Sequence, residues 1–269
     1  MRRCRPMLMT ALCLPLAAFA ISACGATQAE IAKKKSDSDF HYKLAYGYLF
    51  DPKPENRNVG LALAEAERAL VDDANSADAL FLVALIRMGR DEHLEAARHY
   101  ERAIALRPDF HFARNNLGTC YLALERWDDA IAVFTDLTAN PYYTTPGNAQ
   151  NNLGWAYYRK GDLAKALQHF TVARQLNAEL CPAYNNLGLV HLDESRLDKA
   201  EREFSEAVRR CPGYAEPYFH LGRVHARRAE REPARQSFQR CVQLSGTTPL
   251  ADRCERQLAA LTAGEGSVQ

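Results

Sequence analysis

A repeated Leu-Gly pair is the feature that most constrains the fold of this chain. It occurs at Leu117-Gly118, Leu153-Gly154, Leu187-Gly188 and Leu221-Gly222, at intervals of 36, 34 and 34 residues. An alanine follows each glycine after twelve residues, and a phenylalanine follows that alanine after four. A period of this length is typical of a solenoid of stacked units, because one unit alone cannot bury its apolar face.

Each unit has the pattern of a helical hairpin. Cys181 to Glu194 places apolar side chains at helical spacing, and Leu197 to Arg210 does the same. The glycine allows the two helix backbones to approach, while the phenylalanine fills the remaining space. Pro212 then ends the second helix, and Pro217 lies in the first turn of the next one.

The order of bulky apolar residue, Leu-Gly, Tyr, Ala, Phe, Ala and Pro resembles the tetratricopeptide repeat. The resemblance implies an all-α superhelical solenoid of about six helix-turn-helix units with a C-terminal capping helix. We place the units at 40–76, 77–110, 111–146, 147–180, 181–214 and 215–246, the cap at 249–262 and a disordered tail at 263–269.

The amino terminus has the features of a bacterial export signal. Residues 1–23 combine a basic start with the mostly apolar stretch Met7 to Ile21, which is too short for a comfortable membrane span. Ile21-Ser22-Ala23-Cys24 resembles a lipobox, which implies cleavage before Cys24, a diacylglycerol on its sulfur and an N-acyl chain. The alternative is an ordinary cleaved signal with an incidental cysteine.

The residues after the lipobox predict the location of the protein. Gly25, rather than aspartate, follows Cys24, and by resemblance to enterobacterial sorting rules this implies the outer membrane, with the folded part facing the periplasm. Residues 24–39 are polar and include Lys33-Lys34-Lys35, so we predict a flexible lipidated tether. Several acyl chains together anchor a protein stably where a single chain is marginal.

Charge and motifs argue against two broad classes of function. Without Arg2, Arg3 and Arg5, the 34 basic residues fall to 31 against 33 acidic ones, a net charge of −2. This balance provides no broad electrostatic surface for nucleic acid. The sequence has no glycine-rich phosphate loop, no nucleophile elbow and no pair of Cys or His at metal-ligand spacing. We expect a non-catalytic protein with no metal and no cofactor besides the lipid on Cys24.

Four cysteines are placed to form disulfide bonds in an exported protein. In an antiparallel hairpin, Cys181 at the start of one helix lies opposite Cys211 at the end of its partner. Cys241 and Cys254 flank the turn before the capping helix almost symmetrically. We predict the bonds Cys181–Cys211 and Cys241–Cys254, which leave Cys120 buried and free. The alternative is four reduced cysteines in the core.

Paired asparagines recur before the Leu-Gly pairs, in the helices expected to line the concave face. Asparagine is a poor helix former, and its amide both donates to and accepts from an extended peptide backbone. By resemblance to peptide-binding tetratricopeptide repeats, the second asparagine of each pair holds the ligand, and His220 takes that place in the last unit. The alternative is that the asparagines belong only to the repeat consensus. The pairs are Asn115-Asn116, Asn151-Asn152 and Asn185-Asn186.

Further side chains beside the asparagines complete the predicted groove. Exposed rows of aromatic residues are typical of binding hot spots, whereas packing between neighbouring units is the alternative. An arginine beside them would pair with an acidic group on a ligand, or form a solvated edge. These additional groove residues are Trp155, Tyr158, Leu189, Phe219 and Arg223.

One junction between repeats is longer than the others. Residues 140–147 contain two prolines and two tyrosines, and they lengthen the period to 36 at this junction. Such a loop is stiff and partly apolar. We predict that Tyr142 and Tyr143 contact a partner; a tolerated insertion is the alternative.

The lipobox, the repeat number and this junction together resemble the PilW/PilF family of outer-membrane lipoproteins of type IV pilus biogenesis, especially its social-motility pilotins. The resemblance implies a pilotin, which binds secretin subunits and promotes assembly of the secretin ring. The expected partners are then a secretin subunit and the inner leaflet of the outer membrane. A general periplasmic adaptor that docks peptidoglycan hydrolases or proteases has the same sequence features and remains open.

Overall fold

The computed structural model describes residues 26–263, with side chains described to residue 261, and the regular elements in this range are all helical. This confirms the predicted all-α solenoid. The predicted signal peptide, lipobox and Cys24 lie outside the described residues, as do residues 264–269 of the predicted tail. The helices are α1 (Gln28–Phe50), α2 (Val59–Asp72), α3 (Ala77–Met88), α4 (His93–Leu106), α5 (His111–Ala123), α6 (Trp127–Ala139), α7 (Pro146–Lys160), α8 (Leu163–Leu176), α9 (Cys181–Asp193), α10 (Leu197–Arg210), α11 (Ala215–Arg227), α12 (Arg231–Ser245) and α13 (Pro249–Ala263).

The helices form six consecutive hairpins, α1 with α2 through to α11 with α12, and α13 packs on the last one. The first helices of successive hairpins also contact each other, from α1 with α3 to α9 with α11. The first helices therefore share one side of the array, which is the inner, concave side of a stacked solenoid. None of the helices within residues 26–263 is both long and apolar enough to cross a bilayer.

Each repeated glycine lies directly against a phenylalanine ring of the partner helix in its hairpin. A Cβ placed on Gly188 would lie 2.5 Å from Cε1 of Phe204, a side chain that is completely buried. The same clash, at 2.5–2.7 Å, would arise at Gly118, Gly154 and Gly222 with the phenylalanine of the partner helix. A side chain larger than hydrogen does not fit here without displacing a core ring, which explains the fixed Leu-Gly to Phe spacing.

The structure corrects the predicted flexible tether, because most of it is helical. Helix α1 begins at Gln28, twelve residues before the predicted start of the first unit. Thr27 and Glu30 form a capping box, in which the Thr27 hydroxyl accepts from the Glu30 N–H and the Glu30 carboxylate accepts from the Thr27 N–H. This local motif satisfies two backbone donors, so a polar composition alone did not indicate the conformation. The segment between α1 and α2 contains a 3₁₀ turn at Pro54–Asn56.

A left-handed residue recurs in the turn between the two helices of five hairpins. The φ angles are 58° to 61° at Asp91, Glu125, Ser195 and Ala229, and 88° at Gly161. These positions are separated by 34 or 36 residues, like the Leu-Gly pairs. Only one of the five is glycine, so four of these turns hold a residue type that disfavours this conformation.

Both predicted disulfide bonds are present in the structure. Cys181 is joined to Cys211 with a Cα–Cα distance of 6.3 Å, and Cys241 to Cys254 with a distance of 6.2 Å. The first bond ties α9 to the end of α10, and the second ties α12 to α13. Cys120 is free and buried, and burial raises the pKa of its thiol to about 12, which keeps it protonated and unreactive.

Candidate peptide-binding groove

A groove of about 540 Å³ lies on the concave side, between helices α7, α9, α11 and α13. Three successive hairpins and the cap contribute side chains to it, so it exists only in the stacked array. Eight of the eleven predicted groove residues line it: Asn151, Asn152, Trp155, Tyr158, Asn185, Asn186, Leu189 and Arg223.

The paired asparagines first serve to connect one hairpin to the next. The Asn152 side chain donates to Asn115 Oδ1 at 3.4 Å, and the Asn186 side chain donates to Asn151 Oδ1 at 3.0 Å. In the earliest pair, Asn116 donates instead to the Tyr100 hydroxyl at 3.1 Å. The residues expected to hold a ligand backbone therefore each use one N–H on the protein itself. An amide has two N–H groups and an oxygen with two lone pairs, so part of its capacity still faces the groove.

This series of amide bonds stops at Asn185. Asn185 is only 2% exposed, and its Oδ1 has no hydrogen-bond partner among the residues described. The residue one period after Asn186 is His220, which stacks on Phe204 with 5.1 Å between ring centroids. Asn185 Oδ1 is therefore a buried acceptor without a donor at the wall of the groove. Such a group lowers the stability of the folded protein unless a ligand supplies the missing donor.

The imidazole of His220 is uncharged in the folded protein. The residue is 7% exposed, and burial, together with the nearby Arg223 and Arg253, lowers its pKa to about 3. Its Nδ1 lies 3.4 Å from Arg223 Nη1 and can accept from it. His220 is thus a neutral, buried residue next to two cationic side chains, Arg223 and Arg253.

Arg223 and Arg253 give this end of the groove its positive charge. The guanidinium of Arg253 lies 4.4 Å from the Phe219 ring centroid, and that of Arg223 lies 5.9 Å from it. Burial and the neighbouring charges of Arg227 and Arg253 lower the pKa of Arg223. The two arginines thus repel each other electrostatically in a partly desolvated place.

Aromatic residues form the opposite wall of the groove. Trp155 and Tyr158 stack with 5.2 Å between ring centroids and 25° between planes, and both pack against buried apolar residues of α9. The Tyr158 hydroxyl donates to Asp193 at 2.5 Å, and burial and that carboxylate raise the pKa of Tyr158. Trp155 and Tyr158 therefore both line the groove and pack between repeats, so the predicted binding role and the alternative packing role apply to the same rings.

Sequence models of the tetratricopeptide repeat match residues 84–144 and 185–246, and a second model of the same repeat matches residues 147–180. Together the matches cover more than half of the chain. The chain is a tetratricopeptide-repeat protein. No curated protein sequence matches it significantly.

Solved structures with the same fold include PilW and PilF, the two proteins that give their names to the family resembled by the sequence. PilW, described as a widely conserved type IV pilus biogenesis factor, is 20% identical, with a TM-score of 0.69 over 85% of this chain and 99% of PilW. PilF of Pseudomonas aeruginosa is 18% identical, with a TM-score of 0.65 over 84% of this chain and 99% of PilF. MamA from Desulfovibrio magneticus RS-1 is 18% identical, with a TM-score of 0.55 over 64% of this chain and 94% of MamA. At these identities the likeness shows a shared fold.

Several predicted residues lie elsewhere in the tetratricopeptide array. Asn115 and Asn116 are not part of the groove lining, because they belong to the preceding hairpin. Phe219 was expected to project into the groove, but it is buried against Phe238, with 5.9 Å between centroids. Arg253 covers it, and its ring serves as a platform for the two arginines.

The two tyrosines of the long junction have different environments. Tyr142 is 83% exposed, whereas Tyr143 is 5% exposed and packs edge-on against His111. Tyr143 therefore belongs to the core, since the loop turns its side chain inward, and only Tyr142 is available to a partner.

Sequence reasoning missed Arg253 and undervalued His220. Arg253 lies on the capping helix, which has no repeat partner from which its position can be read. The signal available was Cys254 beside it, because the predicted bond to Cys241 already placed α13 against α12. Pro182, Tyr214 and Glu216 also line the groove.

Proposed function

We propose that this protein is a non-catalytic scaffold that captures an extended segment of a partner protein in the groove between α7 and α13. The observation that carries the proposal is the composition of this groove, which combines amides and stacked aromatic rings of successive repeats with Arg223 and Arg253, two arginines that have no acidic partner among the described residues. Two interhelical spacings of about 10 Å separate α7 from α11, so the groove accommodates about six extended residues.

The partner that fits best is a secretin subunit of a type IV pilus machine, which makes the protein a pilotin. The lipobox at Cys24 supports this role, as does a fold shared with PilW and PilF over nearly their full lengths. We propose a role like that of the social-motility pilotins such as Tgl, which the chain resembles in its lipobox, its repeat number and the long junction at residues 140–147. The partner-binding surface would also include Tyr142, the exposed aromatic residue of the long junction.

Lipidation of Cys24 would serve this function by raising local concentration. Acyl chains would hold the array at the inner leaflet of the outer membrane, where the secretin ring must form. A captured subunit is then confined near the membrane, and its assembly becomes a reaction between neighbours rather than between freely diffusing molecules. The array would contribute no chemistry of its own.

The test is the state of the secretin in cells that lack this protein. We expect secretin multimers to decrease and monomers to persist in a deletion strain, and wild-type protein to restore the multimers. Complementation with Trp155→Ala should fail, whereas Trp127→Ala, a change to the other tryptophan of the chain and outside the groove, should succeed at equal protein level. Unchanged multimers in the deletion strain would exclude a pilotin.

A further inference from the structure

The C-terminal end of the groove carries two positive charges that lack counter-charges. In the described side chains, neither Arg223 nor Arg253 has a carboxylate within 4.0 Å, although Arg228, the residue that follows α11, lies 2.5 Å from Glu201. Asp193 acts on Arg223 electrostatically, but its carboxylate already accepts the Tyr158 hydroxyl. The two guanidinium groups thus keep donors free for an anion.

Glu216 is the other acidic residue of this end of the groove, and it is also engaged. Its carboxylate accepts the Tyr214 hydroxyl at 2.7 Å. It lines the groove from the start of α11, a full two turns before Arg223 on that helix. The two arginines therefore form a positive site, and Glu216 places a negative charge further along the groove. This arrangement favours binding of a ligand with a single anionic group over a ligand with a run of negative charges.

Asn185 provides an independent sign that a ligand belongs here. Its Oδ1 is buried, lacks a partner within the described residues and lies in the same groove as the arginines. His220 does not supply the missing donor, and it faces Arg223 instead. A main-chain N–H of an extended peptide is the complementary group, and it brings no charge that the two arginines would repel.

We propose that Asn185, Arg223 and Arg253 form a subsite that binds a carboxylate group of the captured segment, while a main-chain N–H of that segment donates to Asn185 Oδ1. This rests on the proposed capture of an extended segment. A guanidinium matches a carboxylate with two parallel N–H bonds, and such charged bonds are stronger than neutral ones. The Phe219 ring contacts both guanidinium groups and so holds them at the same end of the groove.

A carboxylate can come from an acidic side chain or from the end of a chain, and the probes distinguish these sources. The first pair is the acetylated, amidated pentapeptide Ala-Ala-Glu-Ala-Ala and the same peptide with Gln in place of Glu. The second pair is acetylated penta-alanine with a free C-terminal carboxylate and its amide. Full-length protein carrying Trp127→Phe retains Trp155 as its single tryptophan, which lies in the groove and reports binding by fluorescence.

We expect the peptide with the matching carboxylate to bind about tenfold more tightly than its neutral partner. Arg223→Gln and Arg253→Gln should each reduce this preference to about twofold or less. Arg256→Gln, on the same helix as Arg253 but outside the groove, should leave it unchanged. Asn185→Leu should weaken all peptides alike and keep the preference, since it removes the acceptor and not the charge.

Equal binding within both peptide pairs would overturn the carboxylate subsite, as would an equal loss of preference with Arg256→Gln. Arg253 is exposed, so its variant tests the subsite even if changes at the more buried Arg223 impair folding. Thermal melts of each variant identify any such impairment. If the preference holds while secretin multimers are unaffected by deletion, the subsite stands and the pilotin role fails.

Discussion

Replacing His220 by asparagine tests how the end of the groove is built. In the folded protein, burial and two neighbouring arginines lower the pKa of His220 from its ordinary value of 6.5 to about 3. The unfolded chain therefore takes up a proton on this residue as the pH falls below 6.5, whereas the folded protein does not until about pH 3. Because the unfolded state binds more protons in this window, His220 lowers stability as the pH falls.

The magnitude follows from the two pKa values. Between pH 7 and pH 4 the residue costs about 3 kcal/mol of unfolding free energy, since each pH unit inside the window contributes up to about 1.4 kcal/mol. An asparagine at this position does not titrate. It stands one period after Asn186, so we expect it to donate to Asn185 Oδ1, a gain of about 1 kcal/mol that offsets the lost stacking on Phe204 at pH 7.

The assay is urea denaturation of the full-length protein and of His220→Asn, followed by circular dichroism at pH 7, 5.5 and 4. Carboxylate titrations affect both proteins alike, so the difference between their free energies isolates the histidine. We expect near-equal stability at pH 7 and a variant that is more stable by about 3 kcal/mol at pH 4. Parallel pH profiles of the two proteins would refute the reasoning, because they would mean that His220 is protonated equally in both states.

Three further predictions concern the stability of the array, measured by thermal or urea unfolding. Ala229→Gly should stabilise by about 0.5–1 kcal/mol, and Gly161→Ala should destabilise by about 1 kcal/mol, because both turns are left-handed; equal effects of the same sign would contradict this. Gly188→Ala should destabilise by about 1–2 kcal/mol through its clash with Phe204, and wild-type stability would show that the ring moves freely. Cys254→Ser should cost roughly 3 kcal/mol by releasing α13; an unchanged melting temperature in oxidised protein would argue against the bond.

The fold was predictable because the repeat encodes local contacts that depend only on spacing. Gly188 and Phe204 are 16 residues apart, and any hairpin of two short helices brings them together. The same geometry placed Cys181 opposite Cys211, since each lies at the open end of one hairpin. Predictions of this kind need no knowledge of how one hairpin is rotated against the next.

Contacts between hairpins were not predictable in the same way. The bond from Asn186 to Asn151 depends on the rotation between α7 and α9, which the sequence does not state. For the same reason the sequence did not predict that Asn185 and Phe219 are buried. The prediction of a flexible tether was wrong for a different reason. It relied on composition and did not consider the capping motif at Thr27, which starts helix α1.

The amides and the cap together explain why binding capacity concentrates at one end of the groove. Toward α5, amide groups are satisfied by the neighbouring repeat, as with Asn152 and Asn115. At α11 the repeat pattern changes to His220, so the last amide oxygen, on Asn185, has no partner within residues 26–261. Helix α13, held by the bond at Cys254, then adds Arg253 to the lining of the same groove. A solenoid needs a cap to cover its final apolar face, and here the cap also brings a positive charge to the groove in which Asn185 Oδ1 lacks a partner among the described residues.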